Sequence, residues 1–155
     1  MTVPDLDTAD APNRILHVVI CGSMSAIDEM ERLAATLRQD GFVVTTPARE
    51  ESSLDWNKLP DEATIPLKRA FLNDYFDIIR DCDIVLIANY TKHDVDGYIG
   101  ANALMEAACG HALRKPVYFL NPIGAQPCAL EAKAVACGIL EGNARLLKAL
   151  ADQSN

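Results

Sequence analysis

The chain has 155 residues, of which 50% are hydrophobic, and its 14 basic and 22 acidic side chains give a net charge of −8. This composition is typical of one globular domain and excludes a disordered chain. Because the sequence has no cluster of basic residues, it argues against binding to duplex nucleic acid, although backbone N–H groups could still hold the phosphate of a nucleotide.

The first segment, residues 1–13, contains Pro4, Pro12 and three aspartates and has little apolar content. We expect it to be a mobile N-terminal tail, with residues 14–155 forming a single domain. The apolar and largely β-branched run at residues 15–21 predicts a buried strand at the centre of a parallel sheet.

A helix is predicted after this strand. Gly22 and Ser23 end the strand, and Ser25 is a suitable N-cap because its hydroxyl can accept a hydrogen bond from a free backbone N–H group. Apolar residues then recur at helical spacing, and Gly41 is positioned to end the helix as its C′ residue. Residues 42–46 form the predicted second strand.

Residues 47–66 have no periodic pattern and predict a long irregular connection, a kind of segment that often acts as a lid or a binding loop. Trp56 lies in it, and we expect this side chain to bury apolar area, with stacking on a base as the alternative. Residues 67–80 predict an amphipathic helix that carries Asp74 and Asp77. These carboxylates could reach sugar hydroxyls, or at least one of them could face solvent.

The remaining elements continue the alternation of strands and helices. We predict a buried strand at 84–88, a loop and helix up to residue 111, a strand at 117–120, a short helix near 129–133, a weak strand near 135–140 and a closing helix at 143–151. Alternation of this kind is typical of an α/β fold in which helices cover both faces of a parallel sheet. The sequence therefore predicts five parallel strands in one sheet.

The five cysteines are widely spaced, and the sequence contains neither a CxxC pair nor a cluster of cysteine and histidine with metal-ligand spacing. We therefore expect no metal site and no cofactor. The N-terminus lacks the basic and apolar pattern of a signal peptide, and no apolar run approaches the roughly 18 residues of a membrane span. These features predict a cytoplasmic protein without a membrane partner.

Glu106 is the most informative single residue. Between Gly97 and His111 it is the only charged side chain, on a helix otherwise rich in small residues. Burial of a carboxylate is costly unless its hydration is replaced, and the backbone N–H groups and dipole at a helix N-terminus offer part of that replacement. The pattern suits an ionised carboxylate beside a ligand, and a glutamate that points to solvent is the alternative.

Ligands of open parallel α/β sheets bind beyond the carboxyl ends of the strands. Two segments lie there: the turn with Gly22 and Ser23, and the loop from Asn89 to Gly100. Their spacing matches neither GxGxxG nor GxxxxGK[ST], so we expect neither a dinucleotide fingerprint nor a P-loop. Asn102 lies one helical turn before Glu106 and could hydrogen-bond to it, or could instead cap the helix.

Three segments resemble a known family: CGSM after the first strand, DYFDIIRDCDIVLIAN, and GYIGANALMEAACGHALRKPVYFLNPI. They are similar to the nucleoside 2-deoxyribosyltransferase-like superfamily, which includes deoxynucleoside monophosphate N-glycosidases. The likeness covers residues 15–142 and is most specific at GYIGxNxxxE. It implies a flavodoxin-like three-layer sandwich and cleavage or exchange of the bond between a base and a (deoxy)ribose.

The resemblance also implies roles for individual residues. Glu106 matches the family's nucleophile, which attacks C1′ in chemistry that parallels retaining glycoside cleavage. The implied substrate contacts are Asp74 in the helix, cleft-lining Gly22, Ser23 and Asn89, and then Tyr98, Gly100 and Asn102 in the loop and helix of the nucleophile. A small-molecule nucleoside or nucleotide is the implied partner, together with a second copy of the chain in a homodimer or larger homo-oligomer.

One position departs from the family. Many members have a tyrosine where this chain has Val19, and that tyrosine orients the nucleophile; Tyr98 is a candidate to replace it. The departure favours an alternative class of function, a non-catalytic nucleotide-binding or regulatory module. A lysine-decarboxylase-like phosphoribohydrolase is a second alternative, although its PGGxGTxxE signature is missing. An unrelated role on a flavodoxin-like domain is the third.

Overall fold

A computed structural model of the chain describes residues 14–153, and the predicted N-terminal tail lies outside the described residues. Five strands form one parallel sheet: β1 (His17–Cys21), β2 (Val43–Thr45), β3 (Ile84–Ile87), β4 (Val117–Phe119) and β5 (Gly138–Ile139). Their order across the sheet is β2-β1-β3-β4-β5. This is the flavodoxin-like order, in which the chain reverses direction across the sheet between β1 and β3.

The three central strands β1, β3 and β4 are buried on both faces, and their side chains alternate between two separate cores. In β1, Val18 and Ile20 join one core, whereas Val19 and Cys21 join the other. The same period of two holds in β3, where Ile84 and Leu86 lie opposite Val85 and Ile87. An apolar run buried on both faces is what a central parallel strand requires.

Residues 14–153 contain six α-helices, and five of them pack on the sheet. The six helices are α1 (Ile27–Gln39), α2 (Arg49–Ser52), α3 (Asp61–Asp81), α4 (Ala101–Ala112), α5 (Ala129–Val135) and α6 (Leu146–Gln153). Helices α1 and α6 supply the core on one face, and α3, α4 and α5 supply the core on the other. The predicted three-layer α/β sandwich with a five-stranded parallel sheet is therefore confirmed.

The prediction for residues 47–66 was wrong. This segment contains α2, a 3₁₀ turn at Trp56–Lys58 and the first turn and a half of α3, which begins at Asp61. The helix continues through Pro66, whose missing N–H group leaves one carbonyl near the exposed start of the helix without its intrahelical partner. Asp61 and Glu62 lie in the first turn, where their negative charges interact favourably with the positive end of the helix dipole and stabilise the helix start.

The C-terminal boundary of α1 was predicted correctly, and the N-terminal boundary was not. Ser25 is not the N-cap, because a 3₁₀ turn at Met24–Ala26 precedes the helix and Ala26 takes the cap position. Gly41 ends the helix as predicted, with a φ of 96° that favours glycine.

No helix within residues 14–153 combines the length and the apolar character needed to cross a membrane.

Candidate active site

A cavity of about 260 Å³ lies at the carboxyl end of the sheet, where β1 and β3 diverge at the reversal of strand order. Its wall is built from the turn after β1, the α2 segment, α3, the loop after β3 and the first half of α4. The lining residues are Gly22, Ser23, Met24, Pro47, Glu51, Phe71, Leu72, Tyr75, Lys92, Tyr98, Gly100, Ala101, Asn102, Ala103 and Glu106. This is the position at which open α/β sheets bind their ligands.

The turn after β1 is tightly packed against β3. The backbone N–H group of Ala88 donates a hydrogen bond of 2.7 Å to the carbonyl oxygen of Cys21. A Cβ atom on Gly22 would lie 2.9 Å from the sulfur of Met30 and 3.0 Å from the carbonyl oxygen of Ala88. A side chain at Gly22 therefore does not fit, and the backbone itself forms this part of the cavity wall.

Glu106 projects from the second turn of α4 into the cavity and is only 7% exposed. The pKa of its carboxyl is raised from 4.5 to about 8. Burial is the largest cause; the hydrogen bond from the Cys21 thiol lowers the pKa, the charge of Glu51 raises it and the charge of Lys68 lowers it. We expected an ionised carboxylate stabilised by the helix terminus. The dipole effect falls off within the first turn, so burial dominates and favours the neutral carboxyl at pH 7.

Two further groups influence the Glu106 carboxyl: Cys21, which belongs to the core beneath α3, α4 and α5, and Tyr75, which packs against that core and lines the cavity. The thiol of Cys21 hydrogen-bonds to Glu106, and burial followed by the Glu106 charge raises the pKa of this thiol well above its ordinary value, so the thiol keeps its proton. The phenol of Tyr75, from α3, donates a hydrogen bond to the carbonyl oxygen of Ile20. Burial and then the charges of Cys21 and Glu106 raise the pKa of Tyr75 as well. A neutral thiol and a neutral phenol thus surround the carboxyl.

A cationic group lies in another part of the same cavity. The ammonium group of Lys92 donates a hydrogen bond of 2.7 Å to the hydroxyl of Ser23, which in turn lies 2.9 Å from the hydroxyl of Ser25. Lys92 is half-buried and forms no ion pair with any of residues 14–153. In a chain with a net charge of −8, a half-buried lysine without a carboxylate partner is suited to an anionic part of a ligand.

A second carboxylate, that of Glu51 in α2, also lines the cavity. Its side chain is 12% exposed and lies 3.6 Å from the ammonium group of Lys68. That ammonium group lies 4.2 Å from the centre of the Trp56 ring, and Trp56 packs edge-to-face on Phe71 with ring centres 6.2 Å apart. Trp56 therefore packs against α3 and does not line the cavity, as its predicted packing role requires.

Six of the eight predicted site residues line this one cavity: Glu106, Gly22, Ser23, Tyr98, Gly100 and Asn102. Within the part of the chain that the structure describes, no hydrogen bond joins Asn102 to Glu106. Asp74 is exposed on α3 and lies outside the cavity wall. Asn89 is buried, and its amide is used by Asn121: Nδ2 donates to the Asn121 carbonyl at 2.8 Å, and Oδ1 accepts from the Asn121 N–H at 2.9 Å.

Three polar cavity residues were missed by the sequence analysis: Glu51, Tyr75 and Lys92. Lys92 lies in the loop after β3, and its position at the carboxyl end of a strand was a usable signal. Tyr75 lies in the predicted amphipathic helix at residues 67–80, and a helical apolar pattern does not separate core positions from cavity positions. Glu51 lies in the segment predicted to be irregular. No cluster of three or more metal-ligating side chains occurs within residues 14–153.

Comparison with solved structures shows that the fold is shared with an enzyme of nucleoside chemistry. The chain is similar to a 2-deoxyribosyltransferase from the psychrotolerant bacterium Bacillus psychrosaccharolyticus, with a TM-score of 0.57 and 14% sequence identity over 85% of this chain and 90% of that chain. It also matches the CMP N-glycosidase BcmB of Clostridium botulinum, with a TM-score of 0.47 and 14% identity over 90% of this chain and 99% of that chain.

Comparison at the level of sequence finds no related family or protein. No protein-family model matches the chain, and no curated protein matches it significantly. At 14% identity, the 2-deoxyribosyltransferase establishes the shared fold and leaves the chemistry to be argued from the cavity.

Proposed function

We propose that this protein is an enzyme that cleaves or exchanges the N-glycosidic bond of a (deoxy)nucleoside or its 5′-monophosphate, with Glu106 as the nucleophile at C1′. One observation carries the proposal: a glutamate that is 7% exposed projects into the cavity at the ligand-binding edge of the sheet. A carboxylate so placed can attack C1′ and can stabilise the oxocarbenium-like transition state as the base departs.

The remaining cavity wall is compatible with such a substrate. The rings of Phe71, Tyr75 and Tyr98 line the cavity and offer flat apolar surfaces for a base. Lys92 and Ser23 offer a cation and a hydroxyl for an anionic substituent of the sugar. The fold shared with a 2-deoxyribosyltransferase supports the same class of reaction, as does the sequence resemblance at GYIGxNxxxE.

Ionisation of Glu106 is part of the proposed reaction, because only the carboxylate is a nucleophile. With a pKa of about 8, most of the enzyme carries a neutral carboxyl at pH 7. The developing positive charge at C1′ favours the ionised form, so Glu106 is stabilised as an anion when it is needed. A neutral carboxyl at pH 7 also favours the second candidate, a non-catalytic nucleotide-binding module.

The test uses purified protein with a panel of nucleosides and their 5′-monophosphates, with and without a second free base, followed by chromatography of the released bases. We expect base release or exchange by the wild type, and its loss in Glu106→Gln. Glu131→Gln, which changes an exposed glutamate on α5, is the matched control. Unchanged turnover in Glu106→Gln would refute the nucleophile assignment.

The same panel separates the two candidates. Binding of a nucleotide to the wild type without any base release between pH 7 and pH 9 would support the binding module and contradict the enzyme. Base release that grows when a second base is added identifies a transferase, and release that depends on water alone identifies a hydrolase.

We further propose that the chain forms a homo-oligomer. The support is two exposed apolar side chains at α4 and its C-terminal end, because Met105 is 41% exposed and Leu113 is 37% exposed. Packing against a second copy would bury such side chains. Sedimentation velocity of the wild type and of Met105→Glu tests the proposal, and a monomer at micromolar concentration would contradict it.

A further inference from the structure

Among the described residues, two carboxyl groups line the candidate active-site cavity, and the proposed function uses only that of Glu106. Glu51 comes from α2 and Glu106 from α4, two helices that are remote in sequence and meet across the cavity. Both side chains line the same cavity, and the charge of Glu51 contributes to the raised pKa of Glu106. A pair of carboxyls around one reacting carbon is the arrangement of retaining glycoside hydrolases.

Glu51 is held in place by its neighbours and lines the cavity. The ammonium group of Lys68 lies 3.6 Å from one carboxyl oxygen, Oε1. Lys68 is in turn fixed over the Trp56 ring, and Trp56 packs against Phe71, which lines the cavity itself. A glutamate on a four-residue helix thus gains a defined position from packing rather than from the helix.

The other candidates for proton transfer in the cavity are less suited to it. Burial holds the phenol of Tyr75 in its neutral form, and that hydroxyl already donates to the carbonyl oxygen of Ile20. Lys92 donates to Ser23, in a different part of the wall. Asp74, the aspartate implied by the family resemblance, is exposed outside the cavity. Among the described residues of the wall, Glu51 is the carboxyl that remains.

We infer that Glu51 is the acid–base catalyst of the reaction, an inference that rests on the proposed function. In the first step a carboxylate oxygen of Glu106 bonds to C1′ while the C1′–N bond breaks. The electron pair of that bond goes to the base nitrogen, which takes the proton of the Glu51 carboxyl. In the second step the Glu51 carboxylate takes a proton from water, and the water oxygen displaces Glu106 from C1′. The sum is one substrate and one water converted to free base and sugar.

The proton balance of the cavity is compatible with this cycle. At neutral pH the raised pKa of Glu106 favours a proton on its carboxyl. Transfer of that proton to Glu51 produces the nucleophile and the acid together and leaves the total charge of the cavity unchanged.

The test varies the leaving base. The wild type and Glu51→Gln are compared on the natural substrate turned over fastest in the panel and on an analogue whose base leaves without protonation, a 7-methylated purine for a purine substrate or 5-fluorouracil for a uracil substrate. We expect Glu51→Gln to lower kcat/KM on the natural substrate by about 100-fold or more, the size of a general-acid effect. The analogue should retain most of its rate. In Glu106→Gln both substrates should fail.

Two further variants separate catalysis from structure. Lys68→Met removes the ion pair that positions Glu51 but keeps the carboxyl, so its loss of rate on the natural substrate should be smaller than that of Glu51→Gln. Glu50→Gln, an exposed neighbour on the same short helix, should match the wild type on both substrates. An equal loss on both substrates in Glu51→Gln would overturn the inference while the proposed function stands. Absence of base release by the wild type would overturn both.

Discussion

Lys92 and Ser23 are joined by a hydrogen bond of 2.7 Å, although they lie 69 positions apart in the sequence. Ser23 belongs to the turn after β1 and Lys92 to the loop after β3, so the bond bridges the point where the strand order reverses. It places an ammonium group and a hydroxyl side by side on the cavity wall. Phosphate oxygens accept hydrogen bonds from both kinds of donor, and a cationic donor strengthens them.

Replacement of Lys92 should therefore separate nucleotides from nucleosides. In Lys92→Met we expect KM for a nucleoside 5′-monophosphate to rise by about 10- to 100-fold, the value of one or two hydrogen bonds to a charged group. KM for the matching nucleoside should change little. Lys133→Met, which changes an exposed lysine on α5, is the control for net charge. An equal change for both substrates would show that Lys92 does not contact the phosphate.

Burial of Glu106 should also destabilise the folded state in a pH window between two pKa values, that of the unfolded chain and that of the folded chain. The pKa rises from 4.5 in an exposed glutamate to about 8 in the folded chain. Between these values the folded state binds more protons than the unfolded state, so stability falls as the pH rises through this window. Glu106→Gln removes the penalty, and we expect it to stabilise the fold at pH 8 by an amount on the order of 3 kcal/mol.

Thermal unfolding at pH 5 and pH 8 measures this effect. Glu106→Gln should raise the Tm at pH 8 by about 5–10 °C and should change it much less at pH 5. Such a result would also show that loss of activity in the variant does not come from unfolding. A Tm that is lower than that of the wild type at pH 8 would mean that Glu106 is a stabilising part of the core.

Much of this architecture could be predicted because the central strands are apolar on both faces. Such runs, separated by helical patterns, leave few arrangements other than a parallel sheet covered by helices. Glu106 could be found for a related reason: a lone charge among small residues has no structural explanation. Glu51 on α2 and Lys92 in the loop after β3 could not be found in this way, because both have polar neighbours in the sequence.

The same reasoning explains the predictions that the structure does not support. Pro60 and Pro66 concealed the start of α3, since proline is permitted near a helix start yet also typical of loops. Asp74 and Asn89 follow the pattern of the family, but whether a side chain reaches a cavity depends on the rotation of a helix and on competing partners. The Asn89 amide, for example, is used by Asn121, a contact between two loops that no local pattern predicts.

The two charged neighbours of Glu106 should shift its titration in opposite directions. The charge of Glu51 raises the pKa of Glu106, and the charge of Lys68 lowers it. On a substrate analogue that needs no general acid, we expect kcat/KM of the wild type to rise with pH around pH 8, and we expect this rise to move to lower pH in Glu51→Gln and to higher pH in Lys68→Met. The profile of each variant, measured on an analogue that needs no general acid, gives the midpoint. Shifts of the same sign in both variants would mean that they act through a change in structure.

Cys21 should act on the same carboxyl through its hydrogen bond. The buried thiol keeps its proton, and its interaction lowers the pKa of Glu106 by stabilising the ionised form. Cys21→Ala removes the donor, so the midpoint of the kcat/KM profile should move to higher pH and the rate at pH 7 should fall by the corresponding factor. Cys21→Ser restores a hydrogen-bond donor of similar size, and it should return the midpoint to the wild-type value or below it. Both variants replace a fully buried side chain, so each melting curve must first show a folded protein at the assay temperature. If the alanine and serine variants share one midpoint, the thiol serves as packing and the carboxyl is held by other groups.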